Sequence, residues 1–201
     1  MYELGGSLAG TEVAPGNSLL ITGPALSGKD RLGFEFLEHG LANGEGAIIV
    51  TNRDSADRLR RDHEVLFEAG PPVGIVDCIT KHQGQGTIRD SDDIRYASSP
   101  EDMTGIGIKF SNLLEGFYKE RGVTKNRVLF TSLSTLLIYS DLQTVFRFLH
   151  VFTSRIENAD ALGLFVLESE AHDSQAMNTL SQLFDGLIRI EEDGGIETRL
   201  P

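Results

Sequence analysis

Residues 18–30 read SLLITGPALSGKD, and this stretch decides the fold. Ser18 to Thr22 is an apolar run of strand length. Gly23, four further residues, Gly28 and Lys29 follow, and Lys29 to Leu41 then reads as a helix with Leu32, Phe36 and Leu37 on one face. A glycine turn between strand and helix is the setting of a phosphate-binding loop. There the glycines let backbone N–H groups face the anion, the lysine reaches its outer oxygens, and a Ser or Thr hydroxyl after the lysine holds Mg²⁺. In this chain that last residue is Asp30. The loop donors and the helix start still favour an anion, so Gly23, Ser27, Gly28, Lys29 and Asp30 are the candidate nucleotide-binding residues. A carboxylate about 5 Å from a phosphate charge costs roughly 3 kcal/mol at an effective dielectric near 20. Two roles stay open for Asp30: a Mg²⁺ ligand, since carboxylates suit that ion, or an internal occupant of the anion seat, paired with Lys29.

Outward from this loop, strand-length apolar runs alternate with helical patterns. Ala47–Thr51, Val73–Ile79, Asn126–Thr131 and Leu162–Leu167 read as strands apolar on both faces. Helices are expected over Ala56–Ala69, from the Ser99-Pro100 start to about Arg121, from the Asp141 cap through Ile156, and over Ser174–Phe184. Leu187–Glu191 and Ile196–Leu200 form a terminal hairpin across Glu192–Gly195. Residues 1–17 are glycine-rich and are expected to lie over the sheet edge. Thr80–Ser99 is polar and aperiodic, a surface loop of a length that is either functional or disordered. The pattern predicts one α/β domain over residues 1–201, with a mainly parallel sheet flanked by helices on both faces and a C-terminal antiparallel hairpin.

In such sheets ligands sit at the carboxyl ends of the strands. The turn after Thr51 offers Asn52, Arg53 and Asp54, of which Asp54 is the acid that could position a water or else cap the next helix. The strand NRVLF ends in Thr131 and Ser132, where an acid would hold Mg²⁺ through water. After the fifth strand comes ESEAHD, in which Glu168 is a substitute base and His172 a sensor candidate, or the segment is an acidic loop with Asp173 or Ser174 capping the next helix. The other histidines read as surface or core residues.

Composition bounds the partners. A net charge of -12 opposes a nucleic-acid backbone. Arginine outnumbers lysine, thirteen to five, and acids are spread along the chain, as in a protein adapted to high salt or a merely acidic cytosolic one. Cys78 is the sole cysteine, so neither a disulfide framework nor a thiolate metal cluster is expected. No export signal or membrane span is read, and a cytoplasmic location is the expectation.

GPALSGKD, AIIVTNRDS, SPEDMTGIGIKFSNLLEGFY, RVLFTSLSTLLIYSD and the run FRFLHVFTSRIENADALGLFVLESEAHD through LSQLFDGLIRIEE together resemble a RecA-superfamily, KaiC-like P-loop ATPase domain. The resemblance is to the single-domain KaiC-like and HTR-like group of halophilic archaea, and it runs from about Asn17 to Leu200. It implies a RecA-like P-loop NTPase fold, ATP and Mg²⁺ as cofactors, and a nucleotide held at a subunit interface in active relatives. Gly23, Gly28 and Lys29 match the nucleotide loop, whereas Asp30 departs from its Thr or Ser. Thr131 stands where the family has the Mg²⁺-associated Asp, and Arg53-Asp54 where active members carry a water-activating Glu pair. Three departures in one site imply a degenerate domain with a regulatory or signalling role, working through a protein partner or as a homo-oligomer and binding nucleotide weakly or not at all. The alternative is a slow Mg²⁺-dependent ATPase in which Asp30, Asp54 or Glu168 stands in for the missing acids.

Overall fold

Alternate residues of each apolar strand leave the sheet on opposite sides, and each side meets its own helices. The computed structural model describes residues 1–84 and 88–201. A hairpin, β1 (Tyr2–Gly5) and β2 (Leu8–Val13), precedes β3 (Ser18–Gly23) and α1 (Lys29–Ala42). β4 (Gly46–Thr51), α2 (Ala56–Asp62), α3 (Glu64–Glu68), β5 (Val73–Asp77), β6 (Ile94–Tyr96) and α4 (Met103–Lys119) follow. The chain then forms β7 (Asn126–Phe130), α5 (Leu133–Tyr139), α6 (Leu142–Asn158), β8 (Leu162–Glu168), α7 (Ser174–Ser181), β9 (Gly186–Ile190) and β10 (Ile196–Arg199). Sheet order is β10-β9-β3-β8-β7-β4-β5-β6, and every pairing is parallel except the hairpin of β10 on β9. β3, β8, β7 and β4 are consecutive in this order, so the turns after them share one rim.

On one side Leu19, Ile21, Ile49, Ile75, Leu129 and Leu164 pack under α1, α2 and α3. On the other Leu20, Ile48, Val76, Val128, Phe130 and Phe165 meet α4, α5 and α6. Phe110, Phe130, Phe152 and Phe165 form the aromatic centre of that second core, with ring centroids from 4.6 to 6.2 Å apart. Asp141 caps α6 through Thr144 N–H at 2.9 Å, as its sequence position predicts. Cys78 is buried, and burial pushes its thiol pKa well up, which suits a core residue.

Four expectations are corrected. The N-terminal segment does not lie over a sheet edge: it packs on α1, and the Tyr2 hydroxyl donates to Asp160 O and accepts from Asn126 N–H, beneath the middle of the sheet. The 80–99 segment is not aperiodic throughout, because Ile94–Tyr96 adds an edge strand parallel to β5; residues 85–87 of that segment lie outside the described residues. The helix expected over Ala56–Ala69 breaks at His63, whose ring stacks on Phe34 with centroids 3.7 Å apart. The helix start expected at Ser99 lies three residues later, where Asp102 accepts Gly105 N–H at 2.9 Å.

The sheet is also pinned by two buried charges that periodicity cannot show. Arg127, fully buried in β7, donates Nε to Glu45 Oε2 (2.6 Å), Nη1 to Phe36 O (2.7 Å) and Nη2 to Glu3 O (2.6 Å). Asp77 ends β5 by accepting from the N–H groups of Ala56, Ile79 and Thr80 and from the Thr80 hydroxyl, at 2.6 to 2.9 Å. Among the described residues no helix is long and apolar enough to cross a membrane.

Candidate functional site

The loop between β3 and α1 has the backbone of an anion cradle. Gly28, at φ +90°, occupies the left-handed region that glycine tolerates, and directs the chain into α1. Gly23 has no room for a side chain: a Cβ there would lie 2.5 Å from Ser27 Oγ and 2.9 Å from Ile190 O. Ser169 N–H donates to Gly23 O at 3.0 Å and so ties the end of β8 to the loop. Leu26, at φ +61°, stands fully exposed at the tip.

The side chains of the cradle are turned toward each other. Lys29 is 3% exposed, and its Nζ lies 3.1 Å from Glu168 Oε2 and donates to Pro24 O at 2.8 Å. Two of its three donors are thus held by the protein itself. Asp30 faces Arg53, whose Nη1 lies 3.3 Å from Oδ1, an ion-pair distance without hydrogen-bond alignment, and 3.4 Å from Oδ2. From Arg53 the alternation of sign continues through Asp54 at 3.6 Å to Arg58 at 3.0 Å and Asp62 at 3.3 Å. Asp54 is therefore enclosed between two arginines, and the cap of α2 is Ser55, which accepts Arg58 N–H.

At the end of β7, Thr131 is buried and its hydroxyl meets Asn52 Oδ1 at 3.4 Å, while Asn52 Nδ2 donates to Ser132 O at 2.7 Å. This corner is neutral. Ser132 Oγ caps α5 through Thr135 N–H. Two residues on, Ser134 Oγ accepts Glu168 N–H at 3.0 Å and lies 2.8 Å from His172 Nε2. Burial lowers the His172 pKa, and Asp173 and Glu168 oppose that only in part. Asp173 caps α7 through Ala176 N–H at 2.8 Å.

The structure thus joins Lys29 to Glu168, Glu168 to Ser134, Ser134 to His172, and separately Asp30 to Arg53 and Asp54. Thr131 belongs to neither group, its side-chain partner being Asn52. Three buried oxygens at this rim, Ser27 Oγ, Asp30 Oδ1 and Glu168 Oε1, have no hydrogen-bond partner among the described residues. Ser134 and Asn52 carry much of this wiring; the sequence points to Asn52 only as a turn residue and not to Ser134. The available signal is their place just beyond apolar strands, one residue after β4 for Asn52 and four after β7 for Ser134, at the rim where the loop also lies. Among the described residues no group of three or more His, Cys, Asp or Glu is arranged to hold a metal ion.

Chemically, an anion at Lys29 competes with Glu168 for the ammonium, and the two carboxylates nearest the loop, Asp30 and Glu168, are engaged by Arg53 and Lys29. These residues as placed do not fit a magnesium–triphosphate.

A family model described as Family of unknown function (DUF7504) matches residues 16–190. No curated protein matches the sequence. Among solved structures, the chain is similar to that of a KaiC-like protein from the hyperthermophilic archaeon Pyrococcus horikoshii OT3, with a TM-score of 0.62 and 14% identity, over 92% of this chain and 77% of that one. At that identity the likeness is one of fold.

Proposed function

The chain belongs to that family of unknown function, and we propose that it is a degenerate domain of KaiC-like fold with a regulatory or signalling role, binding nucleotide weakly or not at all. The observation that carries this reading is the Lys29–Glu168 pair: a carboxylate of the protein occupies the lysine that a phosphate would need. A bound nucleotide competes with Glu168 for Lys29, and its charge then faces both Glu168 and Asp30. The neutral Thr131–Asn52 corner supplies no charge for Mg²⁺, and Asp54 is neutralised by Arg53 and Arg58. The Asp30–Arg53 pair supports the second of the two roles left open for Asp30, an internal counter-charge, although its partner is Arg53 rather than Lys29. The net charge of -12 favours a protein partner or a further copy of the chain over nucleic acid, and the cytoplasm remains the expected location.

ATP binding and turnover, measured in molar KCl with Mg²⁺ for the parent, Lys29→Ala and Glu168→Gln, test the reading. The expected result is no turnover in any of the three, no binding by the parent at millimolar ATP, and anion affinity raised about tenfold or more in Glu168→Gln, where the lysine is released from a competing charge. Turnover by the parent that Lys29→Ala abolishes would overturn it and establish the slow ATPase instead.

A further inference from the structure

On the face opposite α1, α4 and α6 leave a groove of about 350 Å³ between them. Its walls are Met103, Ile108, Phe148 and Val151, with Ile108 and Val151 each about half exposed, so the groove opens to solvent. The charged side chains lining it are Arg147 and Arg155, with no carboxylate among them. In a chain with 30 acidic and 18 basic residues, a trough that is apolar and purely cationic runs against the composition. Arg155 is fixed in place, since its Nη1 donates to Gly107 O (2.5 Å) and Ser111 Oγ (3.2 Å). Arg147 donates Nε to Gln143 O at 3.3 Å, which leaves its two terminal nitrogens for a ligand. Neither arginine has a carboxylate partner among the described residues. A guanidinium prefers a planar, two-oxygen anion, and an apolar cleft with a few convergent polar groups is the usual form of a small-ligand site.

We propose that this groove binds an amphipathic anion, with a carboxylate head on Arg147 at one end and an unbranched apolar tail lying along Phe148, Val151, Met103 and Ile108 toward Arg155. Charge complementarity selects this occupant. The groove's own lining is apolar with only cationic charge, which suits an apolar tail ending in one negative charge against Arg147. The proposal involves neither Lys29 nor Asp30, so it stands or falls separately from the state of the phosphate-binding loop.

Calorimetric titration with decanoate, kept below its micelle concentration, tests it against decylammonium, which has the same tail and the opposite charge. The expected result is one decanoate per chain, decylammonium weaker by about tenfold or more, and decanoate weakened about tenfold by Arg147→Gln, the loss of one charge-assisted contact. Val151→Asn should weaken both probes, because it removes tail contact at an exposed position where the fold does not depend on the side chain. Absence of decanoate binding, equal binding of the two probes, or an Arg147→Gln variant that binds like the parent would overturn the proposal. So would a dimer in sedimentation that Val151→Glu dissociates, which would seat a second copy in the groove. A polypeptide adduct in native mass spectra of the parent that is missing from Val151→Glu would likewise overturn it, in favour of a partner chain.

Discussion

Two nearly buried cation–carboxylate pairs sit at opposite ends of the same sheet, and they are finished to different degrees. Arg127–Glu45 lies beneath the start of β7 with side chains 0% and 7% exposed, and each guanidinium nitrogen has an acceptor. Lys29–Glu168 lies at the far rim with side chains 3% and 26% exposed, and Glu168 Oε1 and the neighbouring Ser27 Oγ are left without partners. Burial alone does not distinguish an anchor from a site. Completeness of hydrogen bonding within the pair does: every nitrogen of the Arg127 guanidinium is matched whereas Glu168 Oε1 is not, even though Asn126 Oδ1 beside Arg127 is itself unpaired.

Removing one partner should therefore cost most where the network is complete. Arg127→Ala strands Glu45 and the carbonyls of Phe36 and Glu3 and releases the β1–β2 hairpin, so unfolding free energy should fall by about 3–5 kcal/mol, measured by urea denaturation. Arg127→Lys should recover little of this, since an ammonium cannot reproduce a fork whose three nitrogens point at Glu45, Phe36 O and Glu3 O. A Lys variant as stable as the parent would show that charge alone, not the fork, ties the hairpin down. At the other end, Glu168→Gln should change stability by about 1 kcal/mol or less, the worth of one ordinary hydrogen bond. A loss equal to that of Arg127→Ala would erase the contrast and make the rim pair a second anchor.

The same contrast explains what could be read from the sequence. The strands and most helices were legible because Leu19, Ile21, Ile49 and Leu164 on one side, and Leu20, Ile48, Val128 and Phe165 on the other, make both faces of each strand apolar. The loop from Gly23 to Lys29 was legible because its spacing is local. Arg127 was hidden inside NRVLF, whose periodicity says strand and says nothing of an arginine that bonds to residues about 80 to 120 positions away. Ile94–Tyr96 was missed because an edge strand of three half-buried residues has too short a pattern to emerge from a polar segment. The break at His63 follows from its stacking on Phe34, a tertiary contact that local helix preference does not register. At the rim, the departures at Asp30, Arg53 and Thr131 were visible one by one. The pairing of Asp30 with Arg53, and of Lys29 with Glu168, depends on which turns meet in space.

The smallest expected effect is a pH dependence that singles out the rim. Burial holds the His172 pKa below its ordinary value of 6.5, against the partial opposition of Asp173 and Glu168. Burial does the same at His63, against Asp62, Glu38 and Asp54. The unfolded chain takes up these protons at higher pH than the folded one does, so stability rises with pH across this range. The contribution is complete above about 6.5 and is lost as pH falls through the lowered folded values. Asp102 and Asp141, whose pKa values are also lowered in the fold, contribute at lower pH, where acidification below their ordinary 3.8 removes their share. The urea midpoint should therefore decline between pH 7 and 5.5, and the double variant His63→Phe with His172→Gln should flatten that decline. Hydrogen exchange, corrected for its intrinsic pH dependence, locates the effect. The Glu168 amide, held by Ser134 beside His172, should lose protection at pH 5.5. The Asn126 amide should keep it, because it is accepted by the Tyr2 hydroxyl, whose pKa is pushed up to about 12 by burial. Equal loss at both amides would mean that acidification loosens the whole sheet, and the rim would no longer stand apart from the anchor.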